Sequence, residues 1–243
     1  MKSRILVIGD IHGALKALKQ VLERANVTEN DTLIFLGDYV DGWSDAANTI
    51  RFLIELKSSH NCIFIRGNHD ELFLDYLQKD SYNPQWLLHG GQTTIDSYIP
   101  IPKREINLHI HFFETLENYY LDTNNRLFTH AGFTNENGVK NEAFTKSFYW
   151  DRTLWEMVLA MDKNLPKDSL YYPKRLKNYN EIYIGHTVLA RIEEDTPQQR
   201  ANVWNIDTSA ALKGPLTIMD VDTKQFWQSD PAYTLYPNEK GRN

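Results

Sequence analysis

Apolar runs that stop on a glycine and then on a polar residue recur along this chain. "RILVIG" (Arg4–Gly9), "TLIFLG" (Thr32–Gly37) and "CIFIRG" (Cys62–Gly67) are short and rich in β-branched residues, which predicts buried strands. Between them, "ALKALKQVLERA" (Ala14–Ala25) repeats its apolar residues at helical spacing. "AANTIRFLIELK" (Ala46–Lys57) does the same through Ile50, Leu53 and Ile54. Strand, helix, strand, helix, strand argues for parallel βαβ units with helices on the sheet faces.

The pattern then changes. From about Asp70 to Tyr120 the sequence reads as helices and loops with aromatic residues such as Tyr76, Tyr82, Trp86 and Tyr98, broken at Pro100 and Pro102. "RLFTHAG" (Arg126–Gly132) and "EIYIGHT" (Glu181–Thr187) return to the strand-then-glycine form, with a polar, aromatic stretch from Thr134 to Asn180 between them. "ANVWNIDT" (Ala201–Thr208), "LTIMDVD" (Leu216–Asp222) and "KQFWQSD" (Lys224–Asp230) alternate like strands, the last two as a hairpin, and the tail after Pro231 reads as weakly structured. With no internal repeat, this organisation predicts one domain over 1–243, with inserted lobes at about 71–120 and 134–180.

Composition narrows the class. Of the 243 residues, 42% are hydrophobic and 24% charged, enough to build an ordinary core, and the net charge of −6 argues against a nucleic-acid or anionic-membrane partner. Cys62 is the only cysteine, inside an apolar run, so neither a disulfide framework nor a thiolate metal cluster is available. No stretch is long and apolar enough for a bilayer span or a signal-peptide core, which makes a cytoplasmic setting the expectation.

The candidate chemistry lies where the strands end. "GDIHG" (Gly9–Gly13), "GDYVDG" (Gly37–Gly42), "GNHD" (Gly67–Asp70), "THAG" (Thr129–Gly132) and "GHT" (Gly185–Thr187) each place Asp, Asn or His within two residues of a glycine. The carboxyl ends of strands in an α/β sheet share one edge, so these side chains can converge. Asp10 and Asp38 brought together without compensation would force one to take up a proton. Divalent cations remove that conflict. A mixed set of imidazole, carboxylate and amide oxygen suits Mn, Fe or Zn, and six ligands suit two ions sharing one aspartate.

Five such motifs in this order resemble the calcineurin-like metallophosphoesterases. Within that family they are most similar to the phosphoprotein-phosphatase branch, which includes bacterial and phage serine/threonine phosphatases and symmetrical diadenosine tetraphosphatases. The resemblance implies an α/β fold, an αββα two-sheet sandwich with helical excursions over the site. It implies that Asp10 and His12 hold one metal, that Asp38 bridges, and that Asn68, His130 and His186 complete the second. His69 would be the general acid, oriented by Asp41, with Arg66 supporting Asp41 or its loop. The implied cofactors are two divalent ions, Mn²⁺ first, with Fe or Zn as alternatives. The implied reaction is phosphomonoester hydrolysis, foremost that of a serine/threonine protein phosphatase, by in-line attack of a metal-bridging hydroxide, with a phosphorylated protein or a small phosphoester as substrate.

Two departures accompany the match. The branch carries an arginine after "GDYVD" that grips phosphate, and here Gly42 and Trp43 stand in that place, which predicts a high KM. Arg152 in "FYWDRTLW" resembles the family's other phosphate arginine and, with Asn68, is the candidate phosphate contact. The second departure is Ser209, where "DTGA" would carry glycine. Among the other histidines, His89 in "LLHGG" follows a helical stretch rather than a strand and reads as a loop or cap residue. His109 and His111 read as a strand pair, and His60 as surface. Hydrolysis of dinucleoside polyphosphates at the same site is the alternative enzyme reading, and a non-catalytic binding scaffold is the alternative of another class.

Overall fold

The computed structural model describes residues 3–79 and 81–242. Strands β1 (Ile5–Ile8), β2 (Thr32–Phe35) and β3 (Asn61–Phe64) form where the apolar runs predict them. They pair in parallel, Val7 opposite Ile34 and Ile34 opposite Ile63. α1 (Leu15–Arg24) and α2 (Ala46–Lys57) are the crossover helices. α3 (Asn68–Lys79), α4 (Pro84–Trp86), α5 (Gln92–Tyr98) and α6 (Lys103–Glu114) follow. The chain then builds a second sheet from β4 (Tyr119–Leu121), β5 (Arg126–Thr129), β6 (Glu181–Ile184), β7 (Gln198–Arg200) and β8 (Val203–Asn205). Two short helices, α7 (Ser147–Trp150) and α8 (Thr153–Ala160), lie between β5 and β6. Finally β9 (Thr217–Asp220) and β10 (Phe226–Gln228) return to the first sheet as the expected hairpin, before α9 (Ala232–Leu235).

The strand order is β10-β9-β1-β2-β3 in one sheet and β4-β5-β6-β8-β7 in the other. Strand alternation sorts the side chains into three buried layers. Leu6, Ile8, Leu33 and Phe35 point outward under the helices of the first half. Val7, Ile34, Phe128, Tyr183 and Met219 point inward and fill the space between the sheets. Leu127, Ile182 and Ile184 face the second helical layer. This is the αββα sandwich, and it explains why the strands read as continuous apolar runs: both faces are covered. Phe128 and Tyr183 stack at 4.9 Å in the inter-sheet layer. Burying a side chain of that size contributes about 2–3 kcal/mol.

Two expectations are corrected. His109 and His111 lie on α6, not on a strand. His109, Phe112 and Phe113 are buried at helical spacing, which decides the element, while His111 faces solvent. His109 bonds the Tyr98 hydroxyl at 2.8 Å, and burial lowers its pKa to about 4, so it is a neutral core residue. The segment after Pro231 is held in place rather than loose: Tyr236 is buried, stacks on Trp43 at 5.2 Å, and its hydroxyl donates to Asp45 at 2.8 Å.

Candidate metal centre and active site

The carboxyl ends of β1, β2, β3, β5, β6 and β8 open on the same rim, and the polar residue after each is delivered there. The turns are tight. His12, Asp38, Asp41 and His186 all have positive φ, between 50° and 69°, in a region that costs a non-glycine residue roughly 1–3 kcal/mol. Gly67 and Gly185 admit close approach: a Cβ at Gly67 would collide with the Asp38 carboxylate, and one at Gly185 with that of Asp10. Asp70 fixes this geometry. Its carboxylate accepts the amides of Asp38, Tyr39 and Gly67, each at 2.8 Å, so one side chain ties the β2 turn to the start of α3.

Two groups of ligand-capable atoms result, Asp10, His12 and Asp38 in one and Asp38, His130 and His186 in the other. Asp38 belongs to both. Its Oδ2 lies 3.4 Å from His12 Nε2 and 3.4 Å from His130 Nε2. Asn68 Oδ1 is 3.3 Å from His130 Nε2. The backbone sets the ring faces: His12 Nδ1 donates to the Asp41 carbonyl at 2.7 Å and His130 Nδ1 to the Leu36 carbonyl at 2.8 Å, which turns both Nε2 atoms inward. All of these residues are buried. Asp10 Oδ1, His186 Nε2 and Asp207 Oδ2 have no hydrogen-bond partner among the described residues. Orphaned inward-facing donors and acceptors in a rigid cage fit a pair of divalent cations.

Electrostatics points the same way. Burial, reinforced by Asp207, pushes the Asp10 carboxyl well above its usual range. Burial likewise raises Asp70 to about 7 and Asp207 to about 6. Burial lowers His12 to about 3. For His130 burial opposes the charge, yet Asp38 and Asp10 lift it to about 10, the shift of an imidazole that faces carboxylates with no cation between them.

Beside the cage, His69 Nδ1 contacts Asp41 Oδ2 at 2.7 Å, leaving Nε2 toward the cleft. Asp41 is itself held by the Thr94 hydroxyl at 2.7 Å and by the Trp86 indole N–H. Arg66 does not reach this carboxylate; it donates to the Phe113 and Leu116 carbonyls and braces the strand end against α6. Arg152 is half-buried at the start of α8 and lines two clefts of about 310 and 390 Å³ over the cage. His89 lines both clefts from a kink at Leu87–Gly91, where Gly90 packs on the Gly42 backbone. His60 lies at the opposite end of β3. Ser209 adopts the left-handed conformation, φ +72°, that glycine would favour, and its hydroxyl accepts the Ala190 amide.

Sequence reasoning missed Asp70, Thr94, Trp86, Asp207, Arg191 and Arg242. Asp70 and Asp207 stand inside the quoted stretches "GNHD" and "ANVWNIDT" and were legible there. Arg191 and Arg242 line both clefts with no motif to mark them.

Two packed sheets whose parallel strands empty into a buried Asp/His/Asn cage define a metal-dependent phosphoesterase. The profile described as calcineurin-like phosphoesterase matches residues 3–202, and the chain belongs to that family. It is therefore a phosphoester hydrolase of a family that works with paired divalent ions. It is 24% identical to an asymmetrical bis(5'-nucleosyl)-tetraphosphatase, PrpE, of Oceanobacillus iheyensis over 92% of this chain and 90% of that one. It also resembles two solved structures in fold. A putative diadenosine tetraphosphatase has TM-score 0.63, 17% identity, and 93% and 92% of the chains covered. A serine/threonine phosphatase of Saccharomyces cerevisiae has TM-score 0.59, 16% identity, and 94% and 80% covered. Among the described residues no helix is long and apolar enough to cross a membrane.

Proposed function

We propose that this chain hydrolyses a phosphoanhydride bond in a dinucleoside polyphosphate. The observation that carries this reading is the convergence of Arg152, Arg191 and Arg242 on the clefts above the cage. Three guanidinium groups in addition to two divalent ions exceed what one phosphoryl group needs and match a chain of several. The half-exposed Trp150 and the side chains of Asn83 and Gln85 border the same space and offer a stacking face and hydrogen bonds to a base. The names of the curated relatives agree with this substrate class.

In this reading Asp10 and His12 would hold one ion, Asn68, His130 and His186 would hold the other, and Asp38, common to both groups, would serve each. When bound, the pair supplies Lewis-acid polarisation of the phosphoryl oxygen and an activated water. Arg152 and Asn68 orient the reacting phosphoryl group. His69, fixed by Asp41, Thr94 and Trp86, delivers a proton from Nε2 to the departing oxygen.

The His69–Asp41 contact favours a second reading, a serine/threonine protein phosphatase. A serine alkoxide is a poor leaving group and needs that proton, whereas a nucleotide leaves readily without it. Steady-state kinetics with added Mn²⁺ on diadenosine tetraphosphate and on a phosphoserine peptide separate the two. The expected result is a kcat/KM at least ~10-fold higher on the tetraphosphate. The reverse order would transfer the assignment to the protein phosphatase.

A further inference from the structure

Trp43 and Ser44 stand just past the β2 turn, and both are engaged by the last described segment of the chain. The Trp43 indole is buried, donates to the Ala210 carbonyl at 2.8 Å, and stacks on Tyr236. Gly241 lies on the other side of that ring. Its φ is +67°, and a Cβ there would come within 2.7 Å of the indole and 2.9 Å of the Ala211 carbonyl, so only glycine fits. The Ser44 amide and hydroxyl donate to the Glu239 carboxylate at 2.9 and 2.7 Å. The Arg242 amide donates to the Ala211 carbonyl at 2.8 Å. Lys16 joins from α1, donating to the Leu235 carbonyl at 2.9 Å.

These contacts place the Arg242 guanidinium over the cage. Its Nη1 is 3.5 Å from His12 Nε2, and it lines the clefts shared with Arg152, His186, His69 and Asn68. Among the described residues it forms no ion pair with a carboxylate. Arg152, close to Arg191 and Arg242, is half-buried and lacks such a partner as well, and burial together with those two charges lowers its pKa. Like charges held together with no carboxylate in ion-pair contact among the described residues repel, and an incoming polyanion relieves the repulsion.

We propose that the segment from Tyr236 to Arg242 is a substrate-binding element. Clamped on Trp43 and Ser44, it presents Arg242 to a phosphate group of the substrate, beside Arg152 and Arg191. The tryptophan that stands near the position of the branch's phosphate arginine is then the platform from which another part of the chain supplies a guanidinium. This inference rests on the dinucleoside polyphosphate reading and names the group that binds the non-reacting phosphates of that substrate.

The test uses the full chain with Arg242→Gln, Arg242→Lys and Gly241→Val, the last of which displaces the segment without removing the guanidinium. Two readouts are needed: kinetics on diadenosine tetraphosphate with Mn²⁺, and calorimetric binding of inorganic tripolyphosphate. Arg242→Gln and Gly241→Val should each raise KM and weaken tripolyphosphate binding by ~10-fold or more, with kcat changing less. Arg242→Lys should recover part of both, because it keeps the charge and loses the fork. Mn²⁺ affinity by calorimetry should stay within about threefold. Unchanged KM and tripolyphosphate affinity in Arg242→Gln would overturn the proposal, and so would a gain in kcat/KM, which would mark the segment as a plug. Absence of turnover of diadenosine tetraphosphate in the unmutated chain would instead sink the dinucleoside polyphosphate reading, while tripolyphosphate binding would still decide the role of Arg242.

Discussion

His69 shows how much one side chain can be asked to do here. Its ring sits edge-on to His12 at 5.1 Å, close enough to the cage to serve the reacting group, yet its Nδ1 is committed to Asp41. The amide of the same residue donates to Asp38 Oδ1 at 3.0 Å, so backbone and side chain together lock the ring in place. A proton donor matters in proportion to the basicity of the leaving group. His69→Asn should therefore cost ~10²–10⁴-fold in kcat on a phosphoserine peptide and under ~10-fold on diadenosine tetraphosphate, measured side by side. Equal losses on both would show that His69 acts by position or charge rather than by giving up a proton. At this scale the sequence was informative wherever a polar residue followed a strand. That rule separated His130, which faces Asp38, from His89, which sits on a helical kink. It had no purchase on Thr94, Arg191 or Arg242, whose place depends on how distant segments pack.

The elements that matter most are the strand ends and the turns that follow them. β6 closes on Gly185, and the next amide, that of His186, donates to Asp10 Oδ2 at 3.0 Å, so the turn of one sheet grips the carboxylate of the other. A methyl group at Gly185 would press on Asp10 itself. Gly185→Ala should abolish or strongly reduce Mn²⁺ binding by calorimetry while the far-ultraviolet circular dichroism spectrum stays near that of the parent, because the strand pairing of Ile182, Tyr183 and Ile184 is unaffected. Full Mn²⁺ affinity in that variant would mean the turn relaxes and the close approach is incidental. The four-residue strands and the crossover helices were legible because these strands, β1, β2, β5, β6 and β9 above all, are buried on both faces and each helix carries an apolar stripe. β4 and β7 were not, being three residues long with half-buried or exposed side chains. The short run around His109 looked like a strand because a brief apolar alternation carries either period. Its length in context, from Lys103 to Glu114, and the helical spacing of the buried His109, Phe112 and Phe113 settle it as helix.

Taken whole, the molecule concentrates unfavourable charge at the seam of its two sheets. Asp10, Asp38, Asp70 and Asp207 are all buried there, together with His12, His130 and His186. Without cations the carboxylates of Asp10, Asp70 and Asp207 are pushed toward their protonated forms, and His12 and His186 toward neutrality. For the three carboxylates, which are ionised in the unfolded chain at neutral pH, each such shift is free energy taken from the folded state there, and divalent ions that bind only the folded cage return it; the two histidines are neutral at that pH in either state. The protein should therefore be markedly more stable when loaded. At a free Mn²⁺ concentration ~100 times the dissociation constant, the gain is about 2.7 kcal/mol, which for a chain of this length raises Tm by about 5–10 °C over protein treated with EDTA. Asp38→Asn, which removes the carboxylate common to both groups, should lose most of that rise. Asp31→Asn, at the far end of β2 where Asp31 pairs with Arg4 at 2.7 Å, should lower Tm in both conditions and keep the metal-induced rise intact. A Tm indifferent to Mn²⁺ in the unmutated chain would mean that the seam tolerates its own charge and that the cage is not built for cations.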